Sequence, residues 1–156
     1  MNEETISLTQ LNEEQLKELY SFMKPIWYNT YSFLPVIQID LLLNKYFTFE
    51  NICKFKENGY EYYSVNGVGV LVVKEQEDSL YIDKLYLSNS ARGKNYPQKV
   101  FNLLLKRGKS LTLNVNRNNA RAVKCYLKNG FKIVKEMQID LGSGLVNCDY
   151  FMKREI

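Results

Sequence analysis

Asn119-Ala120-Arg121-Ala122-Val123-Lys124-Cys125-Tyr126-Leu127-Lys128-Asn129-Gly130-Phe131 reads as one helix with both ends marked. Asn118 or Asn119 offers a side-chain oxygen to the first turn, and Val123, Tyr126 and Leu127 fall on one helical face. Gly130 supplies the left-handed residue that ends the helix before Phe131 opens a strand. Upstream, Leu111, Leu113 and Val115 alternate with Thr112 and Asn114, so a half-buried strand feeds this helix.

Working outward, Pro97 to Lys106 carries Val100, Phe101, Leu103, Leu104 and Leu105 as the apolar side of a helix with proline in its first turn, and Gly108 ends it. Ser79 to Leu87 is a strand whose alternation breaks. Leu80 and Ile82 share one phase and Leu85 and Leu87 the other, which predicts a bulge near Asp83 and Lys84. Tyr60–Val65 and Val68–Lys74 flank Asn66-Gly67, the signal for a hairpin with a two-residue turn. Toward the start, Thr5 to Leu8 reads as a short strand. Asn12 and Gln15 form a capping box for a helix running towards Met23 and closed by Pro25. Trp27, Tyr28, Tyr31 and Phe33 form an aromatic cluster ending at Pro35. Val36 to Tyr46 reads as a helix, with a shorter helical piece from Thr48 or Glu50 to Glu57. Lys132–Leu141 and Leu145–Arg154 are two last strands joined by Gly142-Ser143-Gly144.

The 156 residues, 46% of them hydrophobic, suffice for one domain with one sizeable core, and no linker or repeat divides them. No apolar run is long enough to span a membrane and the first residues lack signal-peptide order, so a cytoplasmic protein without membrane contact is expected. Cys53, Cys125 and Cys148 are odd in number and widely spaced, which favours reduced structural thiols. The chain has no histidine, which removes Ser-His-Asp and Cys-His nucleophile pairs and the common zinc hydrolase sites, and no metal is expected. A general base must then be a carboxylate, a Tyr, a Lys or a relayed water. From Lys84 to Lys135 there are thirteen Lys and Arg and no Asp or Glu, while thirteen of the seventeen acids lie at or before Asp83. Such a half is either a solvated basic face or a surface for a polyanion such as CoA or a nucleic acid.

The order Asn119, Ala122, Tyr126, Gly130-Phe131 resembles the acetyl-CoA-contacting helix of the GNAT superfamily of N-acetyltransferases. The element order β, α, α, β, β, β, α, β, α, β, β is also the GNAT order. The resemblance spans residues 1–156 as one domain, strongest from about Leu80 to Phe131. It implies an α/β (α+β) fold with a mixed, mostly antiparallel central sheet, a bulged and splayed central strand, and flanking helices. It further implies acetyl-CoA as acetyl donor and direct transfer to a primary amine, without a covalent enzyme intermediate.

Residue by residue, the segment Arg92, Gly93, Lys94, Asn95, Tyr96 and Pro97 resembles the pyrophosphate loop of that family. Asn95 stands where the family has the first loop glycine and Pro97 where it has a small residue. Asn tolerates positive φ and Pro suits a first helical turn, so the loop shape survives, with one amide donor lost if Pro97 faces phosphate. The resemblance implies that Leu85, Tyr86 and Leu87 pair with pantetheine through an opened backbone, that Asn119 contacts CoA and that Tyr126 protonates the leaving thiolate. Asp83 stands where many members carry a Glu base; its alternatives are a bulge cap, a partner for Lys84, or one end of a water relay. Tyr126 and Asn119 also fit plain roles as a packed helix tyrosine and a cap. Trp27, Tyr28 and Tyr31 lie where the family builds its acceptor wall, and Asp140, Asn147 and Asp149 lie on the hairpin that closes the cleft. Aromatics with carboxylates suit a cationic amine. The acceptor stays open among polyamines, other small amines including aminoglycosides, amino acids and peptide N-termini, and a homodimer is left open. Rival readings are a CoA-binding sensor with weak catalysis and, ranked last, a nucleic-acid-binding protein.

Overall fold

The computed structural model describes residues 5–91, 93–142 and 144–156, so Arg92 of the expected phosphate loop and Ser143 of the last turn lie outside the described residues. Seven strands form one sheet: β1 (Leu8–Gln10), β2 (Tyr60–Val65), β3 (Gly69–Glu75), β4 (Ser79–Leu87), β5 (Ser110–Asn116), β6 (Lys132–Gly142) and β7 (Leu145–Arg154). Their spatial order is β1-β2-β3-β4-β5-β7-β6, antiparallel throughout except for the parallel pair β4 and β5. Six α-helices accompany them among the described residues, α1 (Glu13–Lys17), α2 (Leu19–Thr30), α3 (Val36–Phe47), α4 (Phe49–Glu57), α5 (Tyr96–Leu105) and α6 (Ala120–Lys128), with one 3-10 turn at Asn89–Ala91.

Each face of the sheet carries its own core. Leu71, Val73, Leu80, Ile82, Leu111, Leu113 and Met152 pack against Val100, Phe101 and Leu104 of α5, with Val123 and Tyr126 of α6 alongside. On the other face, Tyr62, Val70 and Val72 pack against Leu16, Leu19, Met23, Trp27, Ile39, Leu43, Phe47 and Ile52 of α1–α4. A strand sandwiched between two helical layers must be apolar on both sides, and β3 reads Gly-Val-Leu-Val-Val for that reason.

The bulge falls where the broken alternation places it. Val72 pairs with Lys84 and Val73 with Ile82, leaving Asp83 as the extra residue. The insertion returns Leu85 and Leu87 to the face of Leu80 and Ile82, and turns Lys84 and Tyr86 toward α2–α4. Pairing of β4 with β5 covers only Ser79↔Ser110 to Ile82↔Leu113. Beyond the bulge the two strands part, and the sheet opens along its middle.

Several local expectations are corrected. The first strand is Leu8–Gln10, not Thr5–Leu8, because its register is set by pairing with Tyr63–Val65. The capping box at Asn12 and Gln15 forms with both arms at 2.9 Å, but it starts only a five-residue helix that breaks at Glu18. Pro25 does not close a helix. It lies inside α2, on the exposed side, and Ser21, whose carbonyl loses its donor to the proline, is exposed as well. Burial of Leu19, Met23 and Trp27 along the other side carries the helix through. Asn66 (φ 51°) and Gly67 (φ 71°) form the expected left-handed pair. The ladder, however, begins at Val65↔Gly69, so the loop holds three residues, with the Val68 amide donating to the Val65 carbonyl at 2.9 Å. Leu127 is 48% exposed, and it is Ala122, not Leu127, that joins Val123 and Tyr126 on the packed side of α6.

Candidate active site

A cavity of about 650 Å³ occupies the gap between β4 and β5 and runs from α2 and α3 on one side to the starts of α5 and α6 on the other. Its walls include Asp83, Leu85, Tyr86, Leu87, Gly93, Asn95, Pro97, Asn119, Tyr126, Trp27, Tyr31 and Asp149, so most residues singled out in the sequence converge here. Four of the described ones do not line it, the exposed Asp140 of β6 among them. Tyr28 donates a hydrogen bond to Asp40 Oδ1 at 2.5 Å, away from the cavity. Because α2 continues through Pro25, Trp27 and Tyr31 share a face and Tyr28, one residue on, is turned off it. Tyr96 is buried in the α5–α6 core at 2% exposure, and the exposed Lys94 also lies outside the lining.

From Leu85 onward β4 keeps β3 on one side and has no ladder partner from β5 on the other, which leaves a strand edge facing the cavity. At the start of α5, Gly93 (φ 77°) and Asn95 (φ 57°) are both left-handed. Asn95 is the residue before the helix and Pro97 its second residue. The Lys99 amide donates to Asn95 O at 3.2 Å, and at this positive helix end Gln98 can present its amide while Pro97 has none to present. Asn119 caps α6, accepting from the Ala122 amide at 3.4 Å, and Phe131 returns its amide to Tyr126 O at 3.0 Å beside Gly130 (φ 89°).

Tyr126 packs edge-on against Phe131 with ring centroids 5.6 Å apart and lies 6.0 Å from Phe101. Its hydroxyl makes no hydrogen bond to another described residue, and burial raises its pKa above the ordinary phenol value. The Asp83 carboxylate is engaged by the ammonium of Lys84. The Tyr31 and Tyr86 hydroxyls share a hydrogen bond of 2.5 Å, and burial pushes Tyr31 up to about 12. Asp149 is 8% exposed, and burial pushes its carboxyl up to about 6.

Other lining residues were not singled out. Tyr46 and Tyr81 add to the aromatic wall, and Asn114 and the buried Asn116 line the β5 side of the gap. Arg121, Lys124 and Lys128 also line the cavity. Their i, i+3, i+7 spacing on an otherwise amphipathic helix is a signal the sequence carries, since it puts three cations in one row. Nothing in the sequence marks Tyr46, which reaches the site by the packing of α3. Among the described residues no cluster of His, Cys, Asp or Glu is placed to hold a metal ion, and no helix is long and apolar enough to cross a membrane. The three cysteines are free and half-buried.

A mixed sheet opened at a bulge thus places a strand edge, a helix start and a row of cations around one cavity. The model of the acetyltransferase (GNAT) family matches residues 14–131, and the chain belongs to that family of acyltransferases. Among solved structures, the PaiA N-acetyltransferase from Thermoplasma acidophilum in complex with coenzyme A superposes with TM-score 0.74 at 20% identity, covering 98% of this chain and 100% of that one. The spermidine N-acetyltransferase from Vibrio cholerae with CoA and spermine gives 0.68 at 15% identity, covering 97% and 95%. YjaB from Escherichia coli, in its apo form, gives 0.70 at 19% identity, covering 96% and 97%. At these identities the likeness is one of fold. No curated protein matches the chain at a significant level.

Proposed function

We propose that this protein is a single-domain cytoplasmic enzyme that moves the acetyl group of acetyl-CoA directly to a primary amine. The observation that carries the reading is the cavity where β4 and β5 part, with the free edge of Leu85–Leu87 on one wall and the Tyr126 hydroxyl on another. Acetyl-CoA, when bound, supplies the thioester whose carbonyl carbon is the electrophile. The residues present fit such a donor. The β4 edge can hydrogen-bond the pantetheine amides, and a backbone amide there can stabilise the oxygen on which charge grows. The left-handed turn at Gly93 and Asn95 and the start of α5 face phosphate, and Arg121, Lys124 and Lys128 neutralise it. Asn119 sits where the sequence resemblance puts a CoA contact.

Tyr126 would hand its proton to the departing thiolate. The phenol is protonated at neutral pH, the form an acid must have, and burial, which raises its pKa, makes it give up that proton only to a strong base such as the departing thiolate. Trp27, Tyr31, Tyr46 and Tyr81 with Asp149 make an acceptor side that favours a cation, since ring faces and a carboxylate both attract an ammonium. The spermidine acetyltransferases among the structural neighbours support an amine acceptor of this kind.

Two measurements test this. Titration calorimetry should show acetyl-CoA binding that an oligonucleotide does not reproduce, and thiol release should depend on added primary amine. Binding of acetyl-CoA without amine-dependent release for any amine class would favour the CoA-sensing reading, for which Pro97 at the second position of α5 is the supporting feature. Salt-sensitive oligonucleotide binding with no acetyl-CoA binding would favour the nucleic-acid reading.

A further inference from the structure

Three buried side-chain polar atoms have no hydrogen-bond partner among the described residues: Trp27 Nε1, Asn114 Oδ1 and Asp149 Oδ1. All three residues line the same cavity. A buried polar atom left unpaired is costly, and native structures keep few of them. Two acceptors, Asn114 Oδ1 and Asp149 Oδ1, and one donor, Trp27 Nε1, left over in one cavity point to a ligand that brings donors and an acceptor.

The two acceptors belong to one sheet face. Asp149 of β7 pairs with Asn116 of β5 and Asn114 pairs with Phe151, so Asn114 and Asp149 are diagonal neighbours with side chains on the same side. The groups around them are already committed. Asn116 Nδ2 donates to Asn147 Oδ1 at 2.8 Å, and Asn114 Nδ2 donates to the Tyr81 hydroxyl at 3.2 Å, leaving Asn114 Oδ1 as the spare atom. Of the carboxylates that line the cavity, Asp83 is bound to Lys84 and Asp149 is bound to no described cation.

We propose that Asp149 is the base of the transfer reaction, taking a proton from the acceptor's ammonium group while Asn114 Oδ1 holds a second N–H, so that the site selects primary amines over alcohols and thiols. This rests on the acetyl-transfer reading above. The ammonium gives one proton to the Asp149 carboxylate and becomes a neutral amine. Its lone pair attacks the thioester carbon, a C–N bond forms, and the C–S bond breaks. The thiolate takes the Tyr126 proton, the amide nitrogen returns its surplus proton to the tyrosinate, and Asp149 releases its own proton to solvent. The net products are the acetylamide, the free thiol and one proton.

Burial pushes the Asp149 carboxyl up to about 6, which makes it a stronger base than an exposed aspartate and still ionised at neutral pH. The titratable groups whose charge it meets are Tyr31 of α2, Tyr46 of α3 and Tyr81 of β4, and Asp83, Lys84, Arg121, Lys124, Cys125, Tyr126 and Lys128 line the same cavity. The four tyrosines are all raised, so none of them titrates near neutrality.

The test compares the parent with Asp149→Asn from about pH 5.5 to 9, with spermidine, butylamine and a short peptide bearing a free N-terminus as acceptors, and with hydroxylamine, which is largely unprotonated at neutral pH. CoA affinity is measured in parallel by calorimetry. The expected result is unchanged CoA affinity, loss of amine transfer on the order of a hundredfold, disappearance of the acid limb of the pH profile, and a much smaller loss with hydroxylamine. Amine transfer within about threefold of the parent, with the acid limb intact, would overturn the proposal while the transfer reading stands. Equal losses with amines and hydroxylamine would also overturn it, leaving Asp149 a positioning residue. If the parent binds no CoA, or binds it and acetylates nothing in the panel, the transfer reading fails and this one with it.

Discussion

The ammonium of Lys84 hydrogen-bonds the carboxylate of Asp83, the residue just before it, across the bulge that opens the sheet. Their side chains are only 4% and 16% exposed. Lys84 Nζ stands 4.0 Å from the centroid of the Tyr46 ring and 5.6 Å from that of Phe47. Burial lowers the Lys84 pKa, and the charge of Asp83 and its hydrogen bond oppose that shift. Removing one partner leaves the other charge buried and alone. Lys84→Met should therefore destabilise the fold by about 3 to 5 kcal/mol, and Asp83→Asn with Lys84→Met together should recover much of the loss. Urea denaturation of the four proteins in the cycle checks this, and additive losses would mean the pair is not coupled.

Tyr126→Phe keeps the ring that packs against Phe101 and Phe131 and removes only the hydroxyl. Stability and CoA affinity should stay near the parent values while turnover falls by about a hundredfold, the scale of one general acid. Steady-state kinetics with calorimetry on the same samples separates the two effects. Unchanged turnover would make Tyr126 a packing residue.

Arg121, Lys124 and Lys128 are exposed along one row of α6, so their attraction for phosphate acts through water and is screened by salt. Replacing all three by Ala should weaken CoA binding by roughly tenfold at low ionic strength, with the difference shrinking as salt is added. Calorimetric titrations at two salt concentrations test the slope. A salt-independent difference would point to packing instead of charge.

Gly69 of β3 pairs with Leu87 of β4. A Cβ at this position would stand 2.5 Å from Leu87 Cδ2 and 2.7 Å from the Tyr86 carbonyl oxygen. The leucine tip can turn aside, but the carbonyl belongs to the β4 backbone, so the strand edge that faces the cavity must shift. Gly69→Ala should cost about 1 to 3 kcal/mol of stability and also weaken CoA binding. Loss of stability with unaltered CoA affinity would show that the edge moves independently of the donor site.

The Asp149 carboxyl is raised in the folded chain, to about 6, so the native state holds its proton over a pH range where the unfolded state has released it. This contribution to stability is present at low pH and is lost as pH rises through about 6. Asp149→Asn removes the ionisation. Its melting temperature relative to the parent should therefore be most favourable above neutrality and least favourable in acid. A pH-independent difference would place Asp149 in contact with water or a cation.

The features that rest on local chemistry were legible in the residues alone. Broken alternation at Asp83 announced the bulge, because strand phase is a two-residue rule that a single extra residue must violate. Asn95 could be recognised as a left-handed residue, Asn119 as a cap and Gly130 as a helix stop, because each depends on a backbone angle or a bond spanning a few residues. The helix that runs through Pro25 was hidden, since the burial of Leu19, Met23 and Trp27 that sustains it comes from strands far along the chain. That helix in turn decided that Trp27 and Tyr31 meet the cavity and Tyr28 does not. Only the tertiary structure could bring Asn114 and Asp149 onto one face, because their proximity is a matter of strand register between β5 and β7. The same holds for which carboxylate is left unpaired. Asp83 and Lys84 are neighbours in any fold, but only burial beneath the aromatic rings of α3 makes their pairing obligatory and leaves Asp149 to face the cavity alone.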